Sequence, residues 1–224
     1  LSGLSIDRRT IRFDNRGVGR STMTDTSWSV EDMADDALAV LDAAEVDRAH
    51  VFGVSMGGLI AQELALRYPE RITSLVLGCT HPGGREAIRM DPAAATMLMD
   101  RSSKSYREAA EASVPFLYEQ SDQDEIEADL KARLRYPMRA AAYWAQLDAM
   151  RQHGGTMSRL PQITVPTLVL HGTADKLVQP GNAQLIADAL PDARLEWLDG
   201  AGHVFWTDQI VPTITLVNTF LAQH

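Results

Sequence analysis

The chain has 224 residues, 45% of them hydrophobic and 23% charged, a balance that fits one soluble globular domain with room for a small inserted subdomain. Its 30 acidic residues outnumber 21 basic ones, and the formal charge of −9 argues against a nucleic-acid partner. The single cysteine, Cys79, excludes an internal disulfide, no Cys/His spacing reads as a metal site, and no apolar run is long enough to span a bilayer.

Three short apolar or β-branched runs, Thr10 to Phe13, His50 to Val54 and Ile72 to Leu77, have the length of buried strands. Between the first two, Ser29-Val30-Glu31-Asp32 reads as a capping-box start, followed by Val30, Met33, Ala37, Leu38 and Leu41 at helical spacing. A second helix is predicted from about Gly57 to Tyr68, ended by Pro69, which disfavours helical geometry in the residue before it. Residues 83 to 158 are rich in Ala, Met, Glu and Arg, and Pro92, Pro115 and Pro137 punctuate them, so they read as several short helices. Alternation resumes with a strand at Thr167 to Leu170, a helix near Asn182 to Leu190, a strand near Arg194 to Leu198 and a last helix near Ile210 to Ala222. The pattern predicts an α/β fold: a mostly parallel sheet flanked by helices, in core segments 1–82 and 159–224, with a helical cap inserted at 83–158.

Gly53-Val54-Ser55-Met56-Gly57 matches G-x-S-x-G, a pattern that chance alone produces in about one chain in ten of this length. Its placement carries more weight: it closes a strand and opens a helix, as a nucleophile elbow must. A sharp turn of this kind strains the serine backbone, and Gly53 and Gly57 would remove Cβ atoms that crowd the adjoining strand and helix, with Gly58 extending the allowance. The turn also sets Ser55 at a helix N-terminus, where the Met56 backbone N–H can serve an oxyanion.

A serine hydroxyl needs a base, itself oriented by a third group. His203, in Gly200-Ala201-Gly202-His203, and Asp175, in His171-Gly172-Thr173-Ala174-Asp175, both follow strands and complete the order Ser, Asp, His. Asp199 competes for the acid's role, but its place four residues before His203 is more typical of a turn group. His81 follows the strand ending at Leu77 and is a candidate for the pocket wall; His50, His153, His171 and His224 are less well placed than His203. In this reading His203 takes the Ser55 proton as the hydroxyl attacks a carbonyl, and Asp175 fixes the imidazole tautomer.

With these residues in place the chain resembles the α/β-hydrolase superfamily from about Ile11 to Phe220. Phe13-Asp14-Asn15-Arg16-Gly17-Val18-Gly19-Arg20-Ser21 is similar to the superfamily's D-x-R-G-x-G-x-S loop, SMGGLIAQELALRYPERITSLVL to its elbow helix and following strand, and VPTLVLHGTADKLVQP to its acid-bearing turn. The nearest flavour is the esterase and lactonase branch, 3-oxoadipate enol-lactonase-like. The resemblance implies hydrolysis of a small to medium carboxylic ester or lactone, without a cofactor. Perhydrolases and C–C hydrolases share the triad, and a ligand-binding relative with impaired catalysis is the reading from another class. It also implies strands ahead of the Asp14 loop and a second oxyanion donor, so the chain, which begins at Leu1, is expected to lack an N-terminal segment of the working protein. A cytoplasmic location and a homo-oligomer are compatible with the sequence, and a leader lost upstream is left open. The cap is expected to offer an apolar ceiling, with Trp144 and Met97 reaching the substrate, and Val178 and His81 lining the pocket from the core. Arg85, Arg89 and Arg139 are read as solvated surface groups.

Overall fold

A computed structural model describes residues 2–4, 8–24, 27–100 and 104–224. Its centre is a parallel sheet of four strands, β1 (Ala49–Val54), β2 (Ile72–Gly78), β3 (Thr167–Gly172) and β4 (Ala193–Leu198), in the spatial order β1-β2-β3-β4. Parallel neighbours need crossovers. Helix α2 (Met56–Arg67) joins β1 to β2, α7 (Gly181–Ala189) joins β3 to β4, and α1 (Val30–Ala43) precedes β1. Helices α3 (Pro92–Met99), α4 (Tyr106–Leu117), α5 (Gln123–Leu134) and α6 (Ala140–Gln152) fill the long connection from β2 to β3. After β4 come the single turn α8 (Phe205–Asp208) and the long α9 (Ile210–Gln223). No helix among the described residues is long and apolar enough to cross a membrane.

The sheet divides two apolar cores by the alternation of its side chains. Leu75 and Leu77 of β2 and Val169 of β3 pack with Met33, Leu59 and Ile186 of α1, α2 and α7. Val76, Leu168 and Leu170 point the other way, onto Phe205, Val217 and Phe220 of α8 and α9. β2 and β3 are almost wholly buried and consist of near-continuous apolar residues, as strands covered on both faces must.

Local signals explain the helix starts. Ser29 accepts from the Asp32 N–H while the Asp32 carboxylate accepts from the Ser29 N–H, so two of the orphan donors at the start of α1 are satisfied reciprocally. Pro92 sits in the first turn of α3, where its missing N–H costs nothing.

The expected strand at Thr10 to Phe13 does not form. These residues follow no ladder, and Phe13 is 43% exposed. A strand is made by its neighbours: among the described residues β1 pairs only with β2, and a β-prone run with no partner beside it joins no ladder.

Candidate active site

In a parallel sheet all strand C-termini meet at one edge, where the connecting loops gather. Ser55 follows β1 there, Cys79 to His81 follow β2, Asp175 follows β3 and His203 follows β4.

Ser55 has φ 55° and ψ −122°, a conformation that L-residues rarely adopt. The turn is pinned from two sides: the Ser55 N–H donates to Gly78 O at 2.9 Å, and the Thr80 hydroxyl donates to Ser55 O at 2.7 Å. A Cβ at Gly53 would collide with the Gly57 carbonyl, and one at Gly58 with the Thr80 side chain. Gly57 differs from expectation, for a Cβ there would meet open space. The close approaches that demand glycine are therefore at 53 and 58. Met56 opens α2, so its N–H is among those that a helix cannot satisfy internally.

His203 and Asp175 meet. His203 Nδ1 lies 2.8 Å from Asp175 Oδ2, both side chains being buried. An ionised carboxylate only accepts, so Nδ1 carries the proton and Nε2 is left as the basic nitrogen. The loop bearing His203 folds down onto β2 and β3: a Cβ at Gly172 would strike the Ala201 and Gly202 carbonyls, and one at Gly78 would strike the Phe205 ring. His203 thus sits above the strand next to Ser55. The Ser55 hydroxyl itself makes no hydrogen bond to His203 among the described residues, a separation common in ligand-free sites.

Asp175 is held by more than His203. Its Oδ1 accepts the Leu177 N–H at 2.8 Å and the Val178 N–H at 2.9 Å, and Oδ2 also faces His171 Nε2 at 3.2 Å. Burial pushes this carboxyl up, but the charge of His203 and the hydrogen bonds from His171 and His203 outweigh it and hold it well below the usual carboxylate range. Burial and the Asp175 charge push the adjacent Cys79 thiol up, so it stays protonated. Asp199 is placed elsewhere: exposed, its Oδ1 accepts the Thr173 hydroxyl at 3.1 Å.

His81 is half-buried at the same edge. Gly83 N–H donates to His81 Nδ1 at 3.0 Å, which leaves the proton on Nε2. Burial, then the charges of His153 and His203, lower His81 to about 4, so it is a neutral donor at neutral pH. Val178 is buried beside Asp175, while Met97 and Trp144 are half-buried on α3 and α6, Trp144 edge-on to Tyr143. Arg85, Arg89 and Arg139 are exposed.

The sequence reading missed a second buried polar set beneath this edge. Glu63 of α2 accepts from His153 Nε2 at 2.7 Å and is gripped by both terminal nitrogens of Arg159. Beside it Thr156 donates to Gln62 Oε1 at 2.6 Å, and its N–H donates to Pro82 O at 2.7 Å. The two ends of the long β2–β3 connection are thereby fastened to each other and to α2. Burial raises the Glu63 carboxyl, but the hydrogen bonds and charges of His153 and Arg159 prevail and hold it at about 2. Glu63→Ala is expected to cost about 2–3 kcal/mol at pH 7, because it leaves the buried His153 and the part-exposed Arg159 without their shared acceptor. With a folded-state pKa below the unfolded one, the Glu63 contribution is present above about pH 4.5 and is lost as pH falls through about 2. Urea unfolding of both proteins across this range should therefore show their stabilities converging as the solution becomes more acid.

Among the described residues two groups of side chains have metal-ligand chemistry: Cys79, His171 and Asp175, and Glu31, Glu63 and His153, each with its donor atoms within 4.8 Å of one another. In both the carboxylate at the centre is already engaged. Asp175 accepts four N–H contacts, and the Arg159 cation occupies the Glu63 carboxylate.

The family model described as serine aminopeptidase, S33, matches residues 6–210. RutD of Variovorax paradoxus (strain S110), whose name proposes a carbamate hydrolase, is 35% identical over 209 residues, covering 89% of this chain and 76% of the relative. A hydrolase from Pseudomonas aeruginosa PA01 has a similar structure, with a TM-score of 0.83, 29% identity, and coverage of 99% of this chain and 82% of that one. The enol-lactonase of Burkholderia xenovorans LB400 superposes with a TM-score of 0.78 at 25% identity, over 93% of this chain and 79% of that one. Sheet, elbow and comparisons agree that this chain belongs to the serine aminopeptidase S33 family within the α/β-hydrolase superfamily.

Proposed function

We propose that this protein is a serine hydrolase that cleaves a small to medium carboxylic ester or lactone through an acyl-enzyme on Ser55. The observation that carries the reading is the strained Ser55 elbow sharing one sheet edge with the His203–Asp175 pair, joined at 2.8 Å. The enol-lactonase likeness supports the substrate class.

His203 Nε2 takes the proton as Ser55 Oγ attacks the carbonyl carbon, and the Met56 N–H receives the oxyanion. Collapse breaks the bond to the leaving alkoxide, which receives the proton from His203. In a lactone that alkoxide stays tethered to the acyl group. Water, deprotonated by the same histidine, then releases the acid and restores Ser55. Residues 83–158 act as the cap, with Met97 and Trp144 on the apolar side of the substrate, Val178 in the pocket floor, and His81 as a neutral donor. The chemistry uses no cofactor.

A fluorophosphonate is expected to add one phosphonyl group to the peptide containing Ser55, and prior incubation with p-nitrophenyl butyrate to slow that labelling. Mass-spectrometric mapping reads both. An intact Ser55 peptide after long exposure refutes the assignment. A carbamate is the second reading, favoured by the 35% identity to RutD, and a parallel p-nitrophenyl carbamate assay separates it by kcat/KM.

A further inference from the structure

Building on the proposed triad, we infer that His171 is a positioning residue: its Nε2–H holds the Asp175 carboxylate in the orientation that presents Oδ2 to His203.

The lone pairs of Asp175 account for the geometry. A carboxylate offers about four acceptor sites. Oδ1 uses two on the Leu177 and Val178 N–H groups, and Oδ2 uses one on His203 Nδ1 at 2.8 Å. The fourth faces His171 Nε2 at 3.2 Å. The same His171 nitrogen lies 2.9 Å from Val178 O. Only an N–H can satisfy that carbonyl, so Nε2 carries the proton and shares it between the two acceptors. Val178 thus donates to Asp175 with its N–H and accepts from His171 with its C=O. The imidazole ties the carboxylate and the end of its turn into one unit.

This placement is not the cheapest way to fill the core. His171 is fully buried, and its Nδ1 has no hydrogen-bond partner, an omission that ordinarily costs stability. A leucine in the same space, beside Trp197, would carry no such orphan. What the histidine adds is one N–H fixed on a central strand, bonded to Val178 O and 3.2 Å from Asp175 Oδ2. A rigid strand is the precise place from which to hold a second group.

The effect on His203 follows from charge. Asp175 stabilises the imidazolium form of His203, and the His171 N–H draws off part of the density on Oδ2. Without that donor the imidazolium is held more firmly, so the base is freed only at higher pH. The titratable groups around the pair are Cys79 and His81 from the loop after β2, His171 from β3, and Asp208 of α8, which accepts the Gly202 N–H at 2.7 Å. Of these, His171 offers Asp175 Oδ2 an N–H, and the protonated Cys79 thiol is the other group that hydrogen-bonds the carboxylate.

Two substitutions of similar polarity separate positioning from packing. In His171→Gln the side-chain amide nitrogen reaches the place of Nε2; in His171→Asn it stops short. With p-nitrophenyl butyrate, His171→Asn is expected to lose about tenfold in kcat with KM within about twofold of wild type, and to move the acid limb of kcat/KM up by about half a pH unit. His171→Gln should recover most of both. The pH dependence of fluorophosphonate labelling at Ser55 gives the same readout without turnover, and melting curves report whether each variant is folded. Equal loss in Asn and Gln variants that remain folded, or an acid limb that does not move in His171→Asn, overturns the inference and leaves the triad intact. Should His171→Asn fail to fold, His171→Leu, which fills the same space without a donor, takes its place: a displaced acid limb supports positioning, and an unmoved one overturns it. Wild-type protein that does not label at Ser55 overturns the triad and the inference together.

Discussion

Ser55→Ala is expected to lower kcat toward p-nitrophenyl esters by about 10⁴- to 10⁶-fold, with only the acceleration due to binding and the oxyanion donor remaining. The fold should be unaffected. Alanine and serine have the same difficulty with φ 55° and ψ −122°, and among the described residues no hydrogen bond of the hydroxyl holds the structure together. Glycine does not share that difficulty. Backbone strain of this kind amounts to about 1–3 kcal/mol, part of it offset by the greater freedom of an unfolded glycine. Ser55→Gly should therefore be as inactive as Ser55→Ala and more stable than it by about 1 kcal/mol, measured by urea unfolding. A glycine variant less stable than alanine would mean that the elbow is not strained. Residual activity above about 1% in either variant would mean that the nucleophile is elsewhere.

How much of this was visible in the sequence depended on how local each interaction is. Ser29 and Asp32 lie three residues apart, so their reciprocal cap could be read directly, and the structure contains it. The strands at Ile72 and Thr167 announced themselves as apolar runs because both of their faces are covered. Thr10 to Phe13 is β-prone too but has no neighbour to pair with among the described residues, and composition does not record neighbours. The glycines of the elbow divide in the same way. The pattern marked 53 and 57, yet the contact that forbids a side chain at 58 comes from Thr80, on another strand's loop.

The polar residues tell a similar story. Asp175 and Asp199 both follow strands, and tertiary contacts separate them: Asp175 meets His203, whereas Asp199 binds Thr173. His171 and His153 looked ordinary. The first lies only four residues from Asp175, but its role arises because the turn at 172–175 doubles back and brings both to one point. The second meets Glu63 across 90 residues of chain, most of them the insertion. Nothing in the spacing of either histidine reports a partner brought near by tertiary packing.

Asp175→Asn tests that geometry most severely, and the direction of its effect follows from the donors around it. The Leu177 and Val178 N–H groups are fixed by the backbone and demand an acceptor, so the asparagine carbonyl oxygen must face them. The amide nitrogen is then turned toward His203 Nδ1 and His171 Nε2. Opposite an N–H donor, His203 can keep a hydrogen bond only by giving up its Nδ1 proton and carrying it on Nε2, the nitrogen that must accept from Ser55. The expected loss in kcat is about 10³- to 10⁴-fold, with KM little changed. Stability should fall as well. Asp175 is held below its ordinary value, so its contribution is complete at neutral pH and is lost on acidification; the variant lacks it at neutral pH and lacks the corresponding acid slope. If the carboxylate acts only through His203 upon Ser55, the double variant Ser55→Ala/Asp175→Asn should be no slower than Ser55→Ala alone. A further tenfold drop in the double variant would place Asp175 on a catalytic route that does not pass through the serine.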